Sequence, residues 1–441
     1  MQTTITYYKN LTRWDIKSYL CLFSSPYSVE ELGKYIYEHS EKENVFNEPE
    51  KDFPILGVTN KDGIYLNEYV KGENINQPYK IARSGELAYN PYRVNVGSIG
   101  IVQNEYDNFY ISPAYVVFGT KEGLLNEYIY LVLSSSWFNH YLRAVTSGSV
   151  RQNLTFDLLS QLKVPVPPFK VQREIVEDWH KVQKTAQELK QLADKKEKTI
   201  DNYILSELGM ENKEYQKKKD AFVIWFKDFE RWGVRFNDYV CQGLLDFHSK
   251  YPVFSLQSII FSYQYGTSKK ANGSKGVAIL RMNNIINGNI DTSDLKYIEL
   301  SEKEMKSLKL MKGDLLFNRT NSKELVGKTA VFDLEGEFVF ASYLIRIKID
   351  NSKVDVKYIN FLFDSSVIRN QVNAISRQII GQANVNTGEL GSIKIPLPPL
   401  KIQKEIAERV ETIRREVSQM RSKAETILNT TKNKIGEMLK E

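Results

Sequence analysis

The second half of this 441-residue sequence repeats the first, and that duplication limits the possible folds more than any other feature. The segment 164–172 (VPVPPFKVQ) matches 395–403 (IPLPPLKIQ) at an offset of 231 residues. The other matched pairs are 9–17 with 227–235, 85–90 with 313–318, and 97–102 with 327–332, at offsets of 218, 228 and 230. A repeat of half the chain predicts two units of similar fold, with small insertions in their loops.

A stripe of apolar residues with heptad spacing follows each proline pair. The intervals alternate between four and three residues, which keeps one seam of a helix facing a partner. We therefore expect the two helices to pair as a coiled coil, although an amphipathic helix can also pack on its own domain. The seam positions are Ile175, Trp179, Val182, Ala186, Leu189, Ala193, Lys196 and Ile200 in the first helix, and Ile406, Val410, Ile413, Val417, Met420, Ala424, Ile427 and Thr431 in the second.

Short runs of apolar and β-branched residues, punctuated by Gly, Asn and Asp, occupy the rest of both halves. Such runs are typical of strands. We therefore expect an α+β fold in which two α/β domains are separated by two long coiled-coil helices, as an internal pseudo-two-fold repeat. The predicted segments are 1–162 and 229–392 for the domains, 163–209 and 393–441 for the helices, and 210–228 for a linker.

The composition argues against several classes of protein. Only Cys21 and Cys241 occur, and the four histidines have no metal-ligand spacing, so we expect neither a disulfide framework nor a metal site. No apolar run approaches the ~18 residues of a membrane span, and the N-terminus lacks the pattern of a secretory signal, so we expect a cytoplasmic protein without membrane contact. The formal net charge of +6 is weak support for a polyanionic partner.

The repeated motifs resemble those of specificity subunits from type I restriction-modification systems. The most specific segments are 395–406 (IPLPPLKIQKEI) and 381–386 (GQANVN), and the first half repeats the second of these in weaker form as 151–155 (RQNLT). The resemblance covers nearly the whole length. The first domain departs from it at 24–50, an acidic stretch that matches its counterpart poorly.

The resemblance implies that two antiparallel helices hold two target-recognition domains apart, and that each domain reads one half of a bipartite site in double-stranded DNA with a fixed gap. It implies no catalytic residue and no cofactor in this chain. Two methyltransferase subunits and restriction/translocase subunits would be the partners, and they would use S-adenosylmethionine, ATP and Mg²⁺. A non-catalytic coiled-coil scaffold and a specificity-like subunit of a related defence system stay open as alternatives.

Candidate DNA contacts are Arg, Lys, Asn, Gln, Thr and Tyr side chains in Gly-bounded loops, at a strand end, and before the joint to each helix. These side chains suit base edges or phosphates, although Asn also favours turns for backbone reasons. In the first half the candidates are Asn90, Tyr92, Arg93, Asn95, Arg151, Gln152 and Asn153. In the second half they are Lys269, Lys270, Arg281, Asn283, Asn284, Arg319, Thr320, Asn321, Lys328, Gln382 and Asn384.

Three motifs that suggest catalysis lack residues that the chemistry needs. The segment 322–329 (SKELVGKT) ends in Gly-Lys-Thr, but Ser322 stands where a phosphate loop has its first glycine. The tripeptide 90–92 (NPY) has one proline fewer than the tetrapeptide of amino-methyltransferases, and no glycine-rich cofactor loop accompanies it. Acidic pairs such as Glu30 and Glu31 have no lysine at nuclease spacing, and we interpret them as solvated surface.

Overall fold

The structure is a computed structural model that describes residues 23–60, 63–93, 97–146, 153–216, 222–226, 229, 231–271, 273, 275–322, 325–379 and 382–440. The chain forms two compact units. Unit 1 comprises the described residues up to Lys190 and those from Arg421 onward, and unit 2 comprises Gln191–Met420.

The first half of the chain contains the elements of unit 1 and the first long helix. Its strands are β1 (Ser28–Glu31), β2 (Ile36–Glu38), β3 (Lys42–Glu43), β4 (Asp52–Thr59), β5 (Gly63–Lys71), β6 (Tyr79–Ala82), β7 (Leu87–Tyr89), β8 (Ile99–Ile101), β9 (Phe109–Ile111), β10 (Val116–Thr120) and β11 (Lys163–Val166). Its helices are α1 (Asn126–Leu133), α2 (Ser136–Thr146), α3 (Phe156–Ser160) and α4 (Phe169–Leu208).

The second half contains a corresponding set of elements. Its strands are β12 (Val253–Ser255), β13 (Ile260–Tyr265), β14 (Val277–Leu280), β15 (Ile285–Ile286), β16 (Asn289–Ile290), β17 (Lys296–Ile298), β18 (Leu315–Asn318), β19 (Thr320–Asn321), β20 (Thr329–Val331), β21 (Phe338–Phe340), β22 (Leu344–Ile349), β23 (Arg377–Ile379), β24 (Gln382–Asn384) and β25 (Lys394–Pro396). Its helices are α5 (Val234–Cys241), α6 (Glu302–Leu308), α7 (Val356–Leu362), α8 (Ser366–Ile375), α9 (Thr387–Gly391) and α10 (Leu400–Met438).

Each unit is built on an antiparallel sheet of the same topology. The strand order is β2-β10-β7-β8 in unit 1 and β13-β22-β18-β20 in unit 2, and a separate two-stranded ladder joins β1 to β11 and β12 to β25. The turns before the central strands β7 and β18 contain Gly85 at φ +84° and Gly313 at φ +90°, a left-handed conformation that favours glycine. The repeat and the α+β fold class that the sequence predicts are confirmed.

The two units differ in the sheets that accompany this common one. Among the described residues, unit 1 adds a five-stranded sheet of order β3-β6-β9-β4-β5, whereas unit 2 adds the order β17-β14-β21 and the hairpin β15-β16. Unit 2 also contains the small sheet β19-β24-β23, whose counterpart in unit 1 would fall largely outside the described residues. The differences fall between the matched segments of the repeat. The core beneath the common sheet is nevertheless equivalent, with Leu87 and Tyr89 in one unit and Leu315 and Phe317 in the other, all fully buried.

Identical hydrogen bonds secure the proline joint in both units. A buried tyrosine hydroxyl donates to a proline carbonyl at 2.8 Å, from Tyr128 to Pro165 and from Tyr358 to Pro396. The first proline of the joint lies in β11 or β25, and the proline pair that follows precedes the first turn of the long helix. This entry is extended because proline fixes its own φ and keeps the residue before it out of the helical region.

A glutamine in that first turn completes each joint. Gln403 is fully buried, and its Nε2 donates to the carbonyls of Lys353 at 3.1 Å and Pro398 at 2.8 Å while its Oε1 accepts from the Asp355 N–H at 2.9 Å. Gln172 makes the same three kinds of bond, to the Gly123 carbonyl, the Pro167 carbonyl and the Leu125 N–H, at 2.9, 2.9 and 3.0 Å.

The long helices α4 and α10 contain 40 and 39 residues and pair antiparallel. In unit 1 the Lys432 ammonium lies 5.4 Å from the centroid of the Trp179 ring, and in unit 2 Lys196 forms an ion pair with Glu416 at 2.5 Å. All sixteen positions of the heptad seam are buried or half-buried. The one lysine of the seam, Lys196, therefore has an acidic partner on the facing helix.

In unit 2, α10 is also attached to the neighbouring globular elements by an arginine. Arg414 Nη1 donates to the Asn287 carbonyl at 2.7 Å, its Nη2 binds the Asp364 carboxylate at 2.5 Å, and its guanidinium lies 4.6 Å from the centroid of the Phe361 ring. Among the described residues, no helix has the length and apolar character that crossing a membrane requires.

Candidate nucleic-acid interface

A polar loop follows the central strand of the common sheet in each unit. The Pro91 carbonyl accepts a hydrogen bond from the Leu154 N–H at 2.9 Å in unit 1, and the Arg319 carbonyl accepts one from the Val385 N–H at 2.9 Å in unit 2. Pro91 and Arg319 therefore hold equivalent positions. Each loop lies beside the segment that leads into α3 or α9. In unit 2 this brings the candidates after β18 next to those of the 381–386 motif, and in unit 1 it brings Asn153 next to the loop after β7.

The small sheet β19-β24-β23 organises this region in unit 2. Strand β24 pairs antiparallel with β19 and with β23. Arg319 Nη2 donates to Asn384 Oδ1 at 3.0 Å, and Asn384 Nδ2 donates to Thr320 Oγ1 at 2.9 Å. Asn321 is half-buried and Gln382 exposed on the same sheet. One continuous cluster thus contains five of the residues that the sequence singled out in this half. Thr320 itself is buried and supports Asn384, so the prediction that it contacts DNA is wrong.

Two further residues belong to this cluster and were not predicted. The Arg319 guanidinium carbon lies 4.8 Å from the centroid of the Tyr265 ring, which is within the range of a cation–π contact. Arg377 Nε donates to Glu389 Oε1 at 2.7 Å, and the Arg377 side chain is 69% exposed. An arginine four residues upstream of the 381–386 motif was the signal by which the sequence could have indicated Arg377. Tyr265 had none, because only the pairing of β13 with β22 brings it near Arg319.

The corresponding loop of unit 1 presents different side chains. Tyr92 is 62% exposed and Arg93 is exposed, whereas Asn90 is half-buried and its Oδ1 accepts from the Tyr92 N–H at 3.0 Å. The Asn90 amide therefore shapes the turn, as asparagine commonly does. Asn153 is half-buried beside the loop. The remaining candidates of this half, Asn95, Arg151 and Gln152, lie outside the described residues.

The prediction of a DNA contact is wrong for Asn284. Its side chain is 2% exposed, Oδ1 accepts from the Arg281 N–H at 2.9 Å, and Nδ2 donates to the carbonyls of Asp291 at 2.9 Å and Asp294 at 3.1 Å. A buried amide with these bonds holds a turn and does not reach a groove. Arg281 also binds the Asp294 carboxylate at 2.8 Å, and of Arg281, Asn283 and Asn284 only Asn283 is exposed.

The two lysines at 269 and 270 are both exposed, but their surroundings differ. Lys269 Nζ lies 2.6 Å from Glu304 Oε1, and this bond together with those from Ser301 lowers the pKa of Glu304 to about 2. The positive charge of Lys269 is therefore partly compensated by a carboxylate that stays ionised. Lys270 forms no ion pair with the described residues, so it is the better phosphate candidate.

Lys328 is placed differently from the Arg319 cluster. It lines a cavity of about 210 Å³ together with Glu197 and Asp201 of α4, where acidic neighbours disfavour a phosphate. Thr329 begins strand β20, so no helix follows the Gly-Lys-Thr tripeptide as a phosphate loop requires. Within the part of the chain that the structure describes, no group of three or more His, Cys, Asp or Glu is arranged to hold a metal ion.

Comparison with known proteins decides the family. A family model for the type I restriction modification DNA specificity domain matches residues 27–198 and 245–428, which is more than half of the chain. The chain belongs to this family. The two matched regions lie one in each half of the repeat, so the specificity domain occurs twice in this sequence.

Two relatives match this chain over different lengths. The EcoKI specificity subunit of Escherichia coli K12 is 32% identical over 170 residues, which cover 38% of this chain and 36% of that subunit. The MjaVIII specificity subunit of Methanocaldococcus jannaschii is 22% identical over 338 residues, 75% of this chain and 73% of that one. The chain thus spans little more than a third of the EcoKI subunit's length.

A solved structure supports the fold assignment. It comes from a study of complex assembly and conformational transition in the type I R-M system, and it covers 95% of this chain and 98% of its own. The TM-score is 0.50 and the sequence identity 15%. At that identity the likeness concerns the fold alone.

Proposed function

We propose that this chain recognises a bipartite target in double-stranded DNA, one half-site for each unit, and catalyses no reaction itself. The observation that carries the proposal is the repeated polar loop after β7 and β18, held at an equivalent place by equivalent backbone hydrogen bonds. Because the loops occupy the same place on a duplicated fold, two units can read two half-sites in the same way. Membership of the specificity-domain family supports this reading.

The chemistry of the loops suits DNA and suggests two different half-sites. Unit 1 offers Tyr92 and Arg93, and unit 2 offers Arg319 and Gln382 on its small sheet. Arginine pairs with guanine edges or phosphates, and glutamine with adenine edges. Because the residues at equivalent positions differ, each unit would select its own sequence.

The proposed partners supply the enzymatic steps. Two methyltransferase subunits and the restriction/translocase subunits would assemble with this chain and use S-adenosylmethionine, ATP and Mg²⁺. In this proposal the domains are 1–162 and 229–392, the helical spacers are 163–209 and 393–441, and 210–228 is the linker. An α-helix of 39 residues is about 58 Å long, so a paired spacer of this kind would keep the gap in the target constant.

The test is to express the full chain with its methyltransferase subunit and to map methylated adenines in host DNA by single-molecule sequencing. We expect one motif with two short specified parts and a gap of constant length. Methylation at a short continuous site would contradict the two-unit reading. Methylation of DNA by the purified chain alone would show that the chain is an enzyme. DNA binding by the complex that does not depend on sequence would support a coiled-coil scaffold.

A further inference from the structure

We propose that Arg319 reads a guanine in the half-site bound by unit 2, and that Tyr265 and Asn384 are positioning residues that hold its guanidinium for this contact. The inference rests on the proposed function, because it names the base and the residues at the same site. Neither the repeat nor the motifs of the sequence pointed to Tyr265.

The Arg319 side chain is held on two sides. Its Nη2 donates to Asn384 Oδ1 at 3.0 Å, and its guanidinium lies over the Tyr265 ring with the carbon 4.8 Å from the ring centroid. The orientation of Asn384 is itself fixed, since its Nδ2 donates to Thr320 Oγ1 at 2.9 Å. An arginine restrained in this way loses less conformational entropy on binding than a free surface arginine.

The restraint leaves part of the guanidinium available. Nε is buried and has no hydrogen-bond partner among the described residues, so it faces the protein interior. Nη1 donates to none of the described residues and, unlike Nε, is not buried. The terminal edge of the guanidinium is therefore the part that can reach a ligand.

The donor pattern of that edge selects guanine among the bases. An arginine has only donors, and guanine alone presents two acceptors, O6 and N7, side by side in the major groove. A phosphate can also accept such a fork, but a fork held in one orientation on the small sheet can discriminate between bases only where two acceptors lie side by side. The restrained orientation is the reason to assign Arg319 a base, and the experiment below distinguishes this contact from one to a phosphate.

Neighbouring groups strengthen the assignment. Tyr265 is 41% exposed, and its hydroxyl accepts from the Thr387 N–H at 3.4 Å, so the ring is anchored at the start of α9. Arg377 is attached to Glu389 through Nε, which leaves its exposed terminal nitrogens to neutralise a nearby phosphate. One side chain is thus placed to read sequence and another to supply affinity.

The described residues of unit 1 contain no counterpart of this arrangement. Pro91 occupies the position of Arg319 in unit 1, and proline has no side-chain donor. In unit 2, Tyr265 faces Ile345 of β22, and the equivalent of Ile345 in unit 1 is Val116 of β10. Strand β2 pairs with β10 only from Thr120 to Phe118, so no residue of β2 faces Val116. A change in this cluster should therefore alter one half-site and spare the other.

The experiment selects binding sites for the full-length chain from a library of randomised duplex DNA, at two salt concentrations. We expect the wild-type chain to enrich a two-part motif with a guanine at one position of one half. Arg319→Lys keeps the charge but removes the fork, so preference for that guanine should fall roughly 5- to 150-fold while the other half-site stays unchanged. Tyr265→Leu should lower the same preference about 2- to 5-fold.

Conservative variants separate positioning from folding. Tyr265→Phe keeps the ring face beneath the guanidinium and removes only the hydroxyl with its long bond from the Thr387 N–H, so it should lower the preference less than Tyr265→Leu does. Phe261→Leu is the matched control, because it removes a 73% exposed aromatic from the same strand β13 without touching an arginine, and it should leave the motif unchanged.

Three results would overturn the inference. Arg319→Lys could weaken binding to all sequences equally and reduce by about 1 the slope of the logarithm of the binding constant against the logarithm of salt concentration, which would identify a phosphate contact. The guanine preference could survive in both Arg319→Lys and Tyr265→Leu, which would show that another residue reads the base. Finally, the wild-type chain could enrich no two-part motif, and then the proposed function itself would fail together with this inference.

Discussion

Replacement of Gln403 by leucine should destabilise unit 2 strongly, because this glutamine joins the long helix α10 to the globular elements. The side chain is fully buried and makes three hydrogen bonds to the backbone. Leucine has a similar volume but would leave the Asp355 N–H and the carbonyls of Lys353 and Pro398 without this partner. Each unsatisfied buried group costs about 1–3 kcal/mol.

The net loss is smaller than the sum of three such groups. Lys353 is exposed, so its carbonyl can bind water instead, and the leucine side chain gains some apolar burial. We therefore expect Gln403→Leu to lower the free energy of opening of unit 2 by about 2–5 kcal/mol. Gln172→Leu should lower that of unit 1 by a similar amount, because the bonds of Gln172 are equivalent.

Hydrogen exchange followed by mass spectrometry measures this effect, since peptides from α7 and α1 report the opening of each unit separately. The control is Gln419→Leu, an exposed glutamine on the same helix, which should change stability by less than about 0.5 kcal/mol. If Gln403→Leu changed the exchange of α7 no more than Gln419→Leu does, the joint would not depend on this hydrogen-bonded glutamine.

Two more predictions concern the long helices. Arg414→Met removes the ion pair with Asp364 and should destabilise unit 2 by about 1–3 kcal/mol, seen as a lower midpoint in urea, whereas the exposed Arg415→Met should have little effect. Burial lowers the pKa of Lys432 beside Trp179, so the unfolded chain keeps this proton to higher pH than the folded one does. The free energy of unfolding should therefore rise as pH increases toward 10.5. Lys432→Met should abolish this rise when the free energy of unfolding is measured against pH.

The sequence alone was informative wherever a local pattern recurs. The heptad seam is an example, because a period of three and four residues determines which face of a helix becomes buried whatever its partner is. The matched glycines Gly85 and Gly313 are another, since a turn with positive φ favours glycine in both copies. The repeat thus predicted two units, a helix pair and the α+β class.

Local chemistry was a poor guide to which polar residues are accessible. Asn284 stands in a polar tetrapeptide after a strand, just as a contact residue would, yet its amide is buried in the turn that it stabilises. Asparagine can stabilise a turn or contact a ligand, and the burial of its side chain distinguishes the two roles. The sequence therefore overestimated the number of candidate side chains that are accessible at the surface.

The amino-acid sequence by itself determined the duplication, the helix seam and the loop positions, because each depends on residues close in the chain or on a repeated spacing. Only the tertiary structure decided which side chains act together. Tyr265, Arg319 and Asn384 lie far apart in sequence and meet because β13 and β18 both pair with β22 and because β24 pairs with β19. Contacts between distant segments depend on how strands pair, and no local pattern of residues encodes that pairing.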